Sequence, residues 1–136
     1  MNKQMTLTAW LLLVVVVVLA GRLWWPAVQD GRTERFYTAA DNLMQALEQY
    51  KEFDGDYPRG SNMQISHTLS GKGEKRITIL AVRNNELSDR GEIIDPWGTP
   101  LQFYFSHDAI LIRSAGPNKI FEDRNAPGCD DLFRTN

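Results

Sequence analysis

The sequence predicts an α+β protein in which a long N-terminal helix, first membrane-embedded and then amphipathic, packs on a small antiparallel β-sheet. Three observations support this fold class: an uncharged Leu/Val-rich run over residues 5–21, an apolar stripe at helical spacing over residues 36–50, and two alternating segments within residues 101–113. The stripe and the sheet each have one apolar face, and each buries that face best against the other. About 110 residues follow the apolar run, enough for one small domain.

The apolar run is typical of a membrane anchor. It is apolar on all sides, and its length is close to the lower limit of roughly 17 to 25 residues for a helix that crosses a bilayer. Arg22, Trp24 and Trp25 follow it, and these residue types favour the membrane interface. We therefore expect a short leader over residues 1–4 and a transmembrane helix over residues 5–25, with the following domain outside the cytoplasm.

A cleaved secretory signal is the alternative interpretation of this run. Lys3 supplies a weakly positive start, and Val18 and Ala20 suit the −3 and −1 positions before a cut at Gly21. However, the run is long for the apolar core of a signal, and a mature chain beginning Gly-Arg-Leu-Trp-Trp would be unusual. We therefore favour a retained anchor.

An amphipathic stem helix is predicted over residues 26–54, with its regular part running from about Gln29 to Asp54. Pro26 is expected to bend the chain or to mark its exit from the membrane, and Gly55 is a natural residue to end the helix. The apolar positions recur every three or four residues. They are Phe36, Ala40, Leu43, Leu47 and Tyr50.

Residues 55–136 are predicted to form a globular β domain. Residues 76–80 are expected to be extended, and residues 101–105 and 109–113 to be two strands joined by a hairpin loop. The Gly/Pro/Asn/Asp-rich tail from Ser114 to Asn136 is expected to be a loop. Before the strands, Ser61 is expected to cap a short helix. The residues expected to face inward on this helix are Met63, either Ile65 or Ser66, and Leu69.

Several single residues have structural interpretations. Asp95-Pro96-Trp97-Gly98 is a turn by composition, and we expect Trp97 to pack in the core beneath it. Tyr57 is also expected to be a core aromatic, and His67 and His107 to lie at the surface.

Composition and spacing exclude several function classes. The formal net charge is −2, which argues against a nucleic-acid partner. Cys129 is the sole cysteine, which excludes an internal disulfide, and we expect no cysteine-based metal site and a free or buried thiol. Ser114 lacks a His/Asp constellation in the sequence, so we expect a protein that is not an enzyme.

Four segments together resemble one known family. They are Met5-Thr6-Leu7 with the later Pro26, the stretch from Leu43 to Pro58 ending in Asp54-Gly55-Asp56-Tyr57-Pro58, the turn Asp95-Pro96-Trp97-Gly98-Thr99-Pro100, and the pair Ser114-Ala115-Gly116-Pro117-Asn118 and Asp130-Asp131-Leu132. This chain is similar to the major pseudopilins of type II secretion, within the type IV pilin superfamily. The resemblance implies a pilin-like fold, other pseudopilin subunits as partners in a filament for protein export, and a single pass through the inner membrane with the C-terminal domain in the periplasm.

Two positions depart from that family. Prepilin peptidase cuts family members after a glycine, where this chain has Gln4, and the family's glutamate shortly after the cut is Ala9 here. Prepilin peptidase is therefore a doubtful partner, and processing between Gln4 and Met5 is in doubt. The alternative function is a non-polymerising, membrane-tethered periplasmic binding module with a pilin-like fold.

The acidic tail is the candidate ligand site, and the resemblance implies a calcium loop there. Calcium takes six to eight oxygen ligands from carboxylates, amides and carbonyls. On its residues alone, the tail is typical of a solvated acidic loop. The implied side-chain ligands are Asn118, Asp130 and Asp131, with Glu122 and Asp123 as second-rank ligands and backbone carbonyls near Ser114 and Glu122 as additional ones. The ion would order the loop and would perform no chemistry.

Overall fold

The computed structural model describes residues 31–136, which form an α+β structure with a three-stranded antiparallel sheet. Helix α1 covers Arg32–Asp54, helix α2 covers Asn62–Leu69, a short 3₁₀ helix covers Asn84–Glu86, and strands β1, β2 and β3 cover Gln102–Phe105, Ile110–Ser114 and Leu132–Thr135. The leader and the transmembrane helix predicted over residues 1–25 lie outside the described residues. Within residues 31–136, none of the helices combines the length and apolar character that a membrane span requires.

Helix α1 buries four of the five residues of the predicted stripe, and the fifth, Tyr50, is partly buried against the same core. Phe36, Ala40, Leu43 and Leu47 are each at most 4% exposed, and Ala46, which the prediction did not include, joins them in the core. The helix ends at Asp54 as predicted, and the N–H of the following glycine donates to the carbonyl of Lys51 (2.7 Å). Its predicted beginning near Gln29 lies outside the described part of the chain.

The predicted cap of helix α2 is confirmed. The Ser61 side chain accepts from the N–H of Gln64, whose own side chain accepts from the N–H of Ser61, so two donors at the helix start are satisfied reciprocally. The expected inward position of Met63 is wrong, because its side chain is 38% exposed. Met63 lies two residues from the buried Ile65, about 200° away around the helix axis, so the two residues occupy opposite faces.

The sheet has the order β1-β2-β3, and the third strand was not predicted. In the β1–β2 hairpin Phe103 lies opposite Ile112, and in the β2–β3 pair Ser114 lies opposite Leu132. The prediction of a loop throughout the tail is therefore wrong for Leu132–Thr135. This strand has a weak apolar alternation, and its backbone pairing with β2 determines its conformation.

The segment between α2 and β1 is irregular. Residues 76–80 form no strand, and Thr78 pairs only with Ser70 in an isolated bridge. The N–H groups of Ile79 and Leu80 both donate to the carbonyl of Leu69, at 2.9 and 3.0 Å. These bonds satisfy the backbone locally, so the segment does not extend the sheet.

The expected core aromatics and surface histidines are confirmed. Trp97 is 8% exposed beneath its turn, and Tyr57 is 4% exposed and stacks on Phe105 with 5.5 Å between ring centroids. His67 and His107 are both exposed. Helix α1, helix α2, the turn and the sheet thus share one core.

Candidate cation site

The loop between β2 and β3, residues 115–131, begins and ends at the same point of the sheet because Ser114 and Leu132 are paired. Gly116 and Asp130 close this neck. Gly116 has a φ of +66°, and a Cβ atom there would collide with the carbonyl oxygen of Asp130. Only glycine permits both this conformation and this approach.

Three of the four predicted ligand residues form a chain of contacts inside the neck. The N–H of Asn118 donates to Oδ2 of Asp130 (3.1 Å), and the N–H of Asp130 donates to Oε2 of Glu122 (3.4 Å). Asn118 is exposed, and its Oδ1 accepts from the N–H of Ile120 (2.7 Å), so this side chain already has a local partner. The loop therefore brings the backbone of Asn118, the side chain of Glu122 and Asp130 together.

Asp131, the fourth predicted ligand, has a fully buried side chain. Its Oδ2 accepts from Nε of Arg113 (2.6 Å) and from the N–H of Glu122 (3.3 Å), and the Arg113 guanidinium makes a second, shorter ion-pair contact. Its Oδ1 is buried and accepts no hydrogen bond from any residue within 31–136. Oδ1 of Asp130 is likewise buried and has no hydrogen-bond partner among residues 31–136.

Arg113 is the cation that the protein itself supplies to this cluster. Its guanidinium lies over the rings of Phe121 (5.2 Å) and Phe133 (5.4 Å). Burial alone would lower the pKa of Arg113, but the hydrogen bonds and negative charge of Asp131, helped by Tyr104, outweigh burial and hold the pKa above its ordinary value. Arg113 is therefore charged at every relevant pH.

Two predicted contributors already have partners within the chain. The carbonyl oxygen of Glu122 accepts from the Arg113 guanidinium. The Asp123 side chain is exposed, and its Oδ1 accepts from the N–H of Asn125 (3.0 Å). Asp123 thus forms a local turn on the outside of the loop.

Sequence reasoning missed one member of the cluster. Glu122, Cys129 and Asp131 each place one potential ligand atom so that the three atoms lie within 4.8 Å of one another. Cys129 is a partly buried free thiol. The available sequence signal was that Cys129 lies two residues before Asp131, but this spacing is not a known metal-binding motif.

The residues present fit a divalent cation. Glu122, Asp130 and Asp131 bring three carboxylates to the neck, Arg113 pairs with one of them, and Glu122 and Asp131 each place a ligand atom within 4.8 Å of the other. Two buried carboxylate oxygens without a partner in the described chain are the atoms that an ion would satisfy, because leaving a buried charged oxygen unpaired is expensive.

A second buried carboxylate supports the neck from outside. Asp95 is 3% exposed; its Oδ1 accepts from the N–H groups of Trp97 (3.0 Å) and Thr99 (2.8 Å), and its Oδ2 accepts from the Ser114 hydroxyl (2.6 Å). The same hydroxyl accepts from the N–H of Gly116 (3.0 Å). The turn is thereby joined to the first residues of the loop.

Comparisons of the chain with protein-family models, with curated proteins and with solved structures give no match.

Proposed function

We propose that this chain is a pseudopilin-like structural subunit of a type II secretion or pilus-like filament, anchored by its N-terminal apolar segment in the inner membrane, with residues 55–136 in the periplasm. The proposal includes no catalytic activity. The observation that carries it is the packing of the long helix α1, through one stripe, on a small antiparallel sheet. The sequence places the apolar segment directly before this helix.

The turn and the loop add support because their characteristic residues are buried or make hydrogen bonds in the described chain. The Asp95-Pro96-Trp97-Gly98 turn buries its Trp and Asp side chains, and the loop gathers Asn118, Glu122, Asp130 and Asp131 at one neck. These are the segments on which the resemblance to major pseudopilins depends.

The proposed mechanism is assembly. Apolar helices packed side by side in lipid gain little from the hydrophobic effect, so their association depends on close van der Waals packing. Contacts between globular domains would add to this packing once the helices leave the membrane. The growing filament would act as a piston or plug that exports folded proteins.

Calcium has a structural part in this proposal. A bound calcium ion would supply positive charge to the free oxygens of Asp130 and Asp131, with Glu122 and Asn118 completing the side-chain set. Within the chain, Arg113 fixes the orientation of Asp131, and Asp95 holds the neck through Ser114. The result would be a loop locked onto the sheet on the outer surface of the subunit.

The alternative is a tethered periplasmic binding module that never polymerises. Gln4 and Ala9 favour it, since they replace the residues on which processing and subunit pairing depend in the family. Both functions require the same anchor and the same globular domain.

N-terminal sequencing of the protein extracted from membranes tests the proposal first. A mature chain that begins at Met5 supports prepilin processing and the filament. An intact Met1 supports the tethered module. A chain that begins at Gly21 would exclude the anchor, and with it both functions.

Cysteine cross-linking tests assembly directly. In a Cys129→Ser background, single cysteines placed in turn along residues 11–19 report which faces of neighbouring apolar segments meet. Side-by-side packing predicts oxidative dimers that peak every three or four positions. A cysteine at the exposed Asn85 is the control, and dimer yields equal to that control at every position would reject the filament.

A further inference from the structure

The loop cluster contains a donor that calcium does not use. Glu122, Cys129 and Asp131 offer two carboxylate oxygens and a sulfur, and these three atoms lie within 4.8 Å of one another. Calcium is a hard cation that takes oxygen ligands, whereas a thiolate is a soft ligand that favours zinc and related metals. The composition of the cluster is therefore that of a mixed sulfur and oxygen site.

The condition of Asp131 is independent evidence for a ligand. Its side chain is fully buried, and its Oδ1 has no hydrogen-bond partner among the described residues. Arg113 and the N–H of Glu122 use Oδ2 alone. A buried carboxylate with one satisfied and one unpaired oxygen retains an electrostatic requirement that a cation can meet.

We propose that Glu122, Cys129 and Asp131 form a binding site for a thiophilic divalent cation, with zinc as its representative and water as the fourth ligand. The proposal goes beyond the filament function and does not require it. It shares Glu122 and Asp131 with the calcium set, so the two cations compete for one loop.

Geometry and charge both permit this site. Zinc binds sulfur at about 2.3 Å and carboxylate oxygen at about 2.1 Å, so the three donors need to be roughly 3.2 to 3.8 Å apart. Asp131 is fixed by Arg113, while Glu122 and Cys129 lie on the partly buried loop and supply the remaining movement. On binding, the thiol loses its proton to solvent as the metal–sulfur bond forms. The thiolate and two carboxylates, with the guanidinium of Arg113, then balance the charge of the ion.

Cadmium and zinc titrations of the full-length protein in detergent, reduced with a phosphine, test the proposal. Cadmium is expected to produce the ultraviolet thiolate-to-metal charge-transfer band, saturating at a single ion per chain. Zinc, measured by competition with a chromophoric chelator, is expected to abolish that band by displacement. Because this band is measured in the wild-type protein, the test does not depend on the folding of any variant.

Three variants sharpen the test. Cys129→Ser is expected to lose the band and to bind zinc roughly 100-fold more weakly, since even second-layer contacts contribute 10- to 100-fold. Asp131→Asn is expected to weaken zinc binding with the thiol intact. Asp123→Asn, which removes an equal charge from the exposed side of the loop, is the matched control and is expected to bind as the wild type does.

The outcomes separate this site from the proposed function. Absence of the cadmium band in the wild type, or equal zinc affinity in the wild type and Cys129→Ser, overturns the zinc site. Calcium-dependent stabilisation that survives in Cys129→Ser leaves the calcium loop standing by itself. The cross-linking result reports on residues 11–19, and because it is obtained in a Cys129→Ser background it does not depend on the cation site being intact.

Discussion

The turn around Asp95 and the loop around Asp131 each bury a carboxylate, but they satisfy it differently. Both oxygens of Asp95 accept hydrogen bonds, from two backbone N–H groups and from Ser114. Asp131 has Arg113 and one N–H on Oδ2, and its Oδ1 has no partner among residues 31–136. Protein groups thus satisfy both carboxylate oxygens of Asp95 but only one of Asp131. This difference distinguishes a structural acid from a candidate ligand, although sequence composition presents both as Asp in a polar turn.

Removal of Arg113 is expected to have the largest effect on this contrast. Arg113→Gln leaves Asp131 buried without its cation, and breaking a buried pair from one side destabilises by about 3 to 5 kcal/mol. Calcium should recover part of that loss, because it supplies positive charge to the same carboxylate. Urea unfolding in calcium and in chelator measures both quantities. Arg124→Gln is the control, since Arg124 also lies over the Phe133 ring, at 5.3 Å; an equal loss in the two variants would contradict the argument.

Removal of the Asp95 side chain is expected to be the next largest effect. Asp95→Ala leaves the N–H groups of Trp97 and Thr99 and the Ser114 hydroxyl without their acceptor, with a destabilisation of about 3 kcal/mol. The loss should be the same in calcium and in chelator, because Asp95 is already satisfied. Asp95→Asn retains the size and an acceptor oxygen, and it should lose less. A loss that disappears in calcium would show that the turn is part of the cation site.

Calcium is expected to stabilise the wild type and not Asp131→Asn. At a calcium concentration 100 times the dissociation constant, the free energy of unfolding should rise by about 2.7 kcal/mol. Thermal melts with calcium and with chelator, compared within each variant, remove the baseline effect of the lost Arg113 pair. Asp123→Asn serves as the charge-matched control. If chelator and calcium leave the wild-type melting temperature unchanged, the calcium loop is rejected.

The smallest expected effect comes from the buried, neutral side chain of Tyr57, and its contribution to the free energy of unfolding depends on pH. Burial first, and then the hydrogen bond and charge of Glu48, raise the pKa of Tyr57, whose hydroxyl donates to Oε1 of Glu48 (2.7 Å). A raised folded-state pKa means that this stabilisation is complete below about pH 10, the unfolded value, and is lost as pH rises through the folded value. Tyr57→Phe should therefore lose about 1 kcal/mol near neutral pH.

The test is whether the difference in unfolding free energy between the wild type and Tyr57→Phe changes with pH. Unfolding free energies of the wild type and Tyr57→Phe should differ by a constant amount up to about pH 10 and converge as the pH rises above it, because only the wild type has a phenol to ionise. Asp56→Asn is a suitable comparison on the acid side: the hydrogen bond from Arg59 and then the N–H of Tyr57 lower the Asp56 pKa, and its contribution is lost as pH falls. A constant difference across the alkaline range would contradict the role of the Tyr57 hydroxyl.

Local rules were sufficient for the helices and the hairpin. The stripe from Phe36 to Leu47 and the capping box at Ser61 are determined by residues close in sequence, so spacing and side-chain type predicted them. Strand β3 depends on pairing with β2 across the loop, and four residues with a weak apolar alternation do not reveal a distant partner. Met63 was misplaced because several faces of a short helix fit an inward position equally well.

The same distinction between local patterns and contacts of distant residues applies to the candidate site. The resemblance supplied Asn118, Glu122, Asp130 and Asp131, and the fold brings them to one neck. Arg113 lies on a strand and Asp95 in a distant turn, and their roles arise from contacts over 18 or 19 positions of sequence separation. Cys129 joins the cluster because the loop folds back on itself. Sequence patterns do not encode such meetings, so these three residues required the structure.

The close approach of Gly116 to Asp130 has a consequence for protein engineering. Because the neck closes on backbone atoms, the two ends of the loop are held together where they join the sheet. Asn125 is exposed at the far end of the loop, so a short epitope tag inserted after it would be displayed on a pre-formed stem without altering the register of β2 and β3.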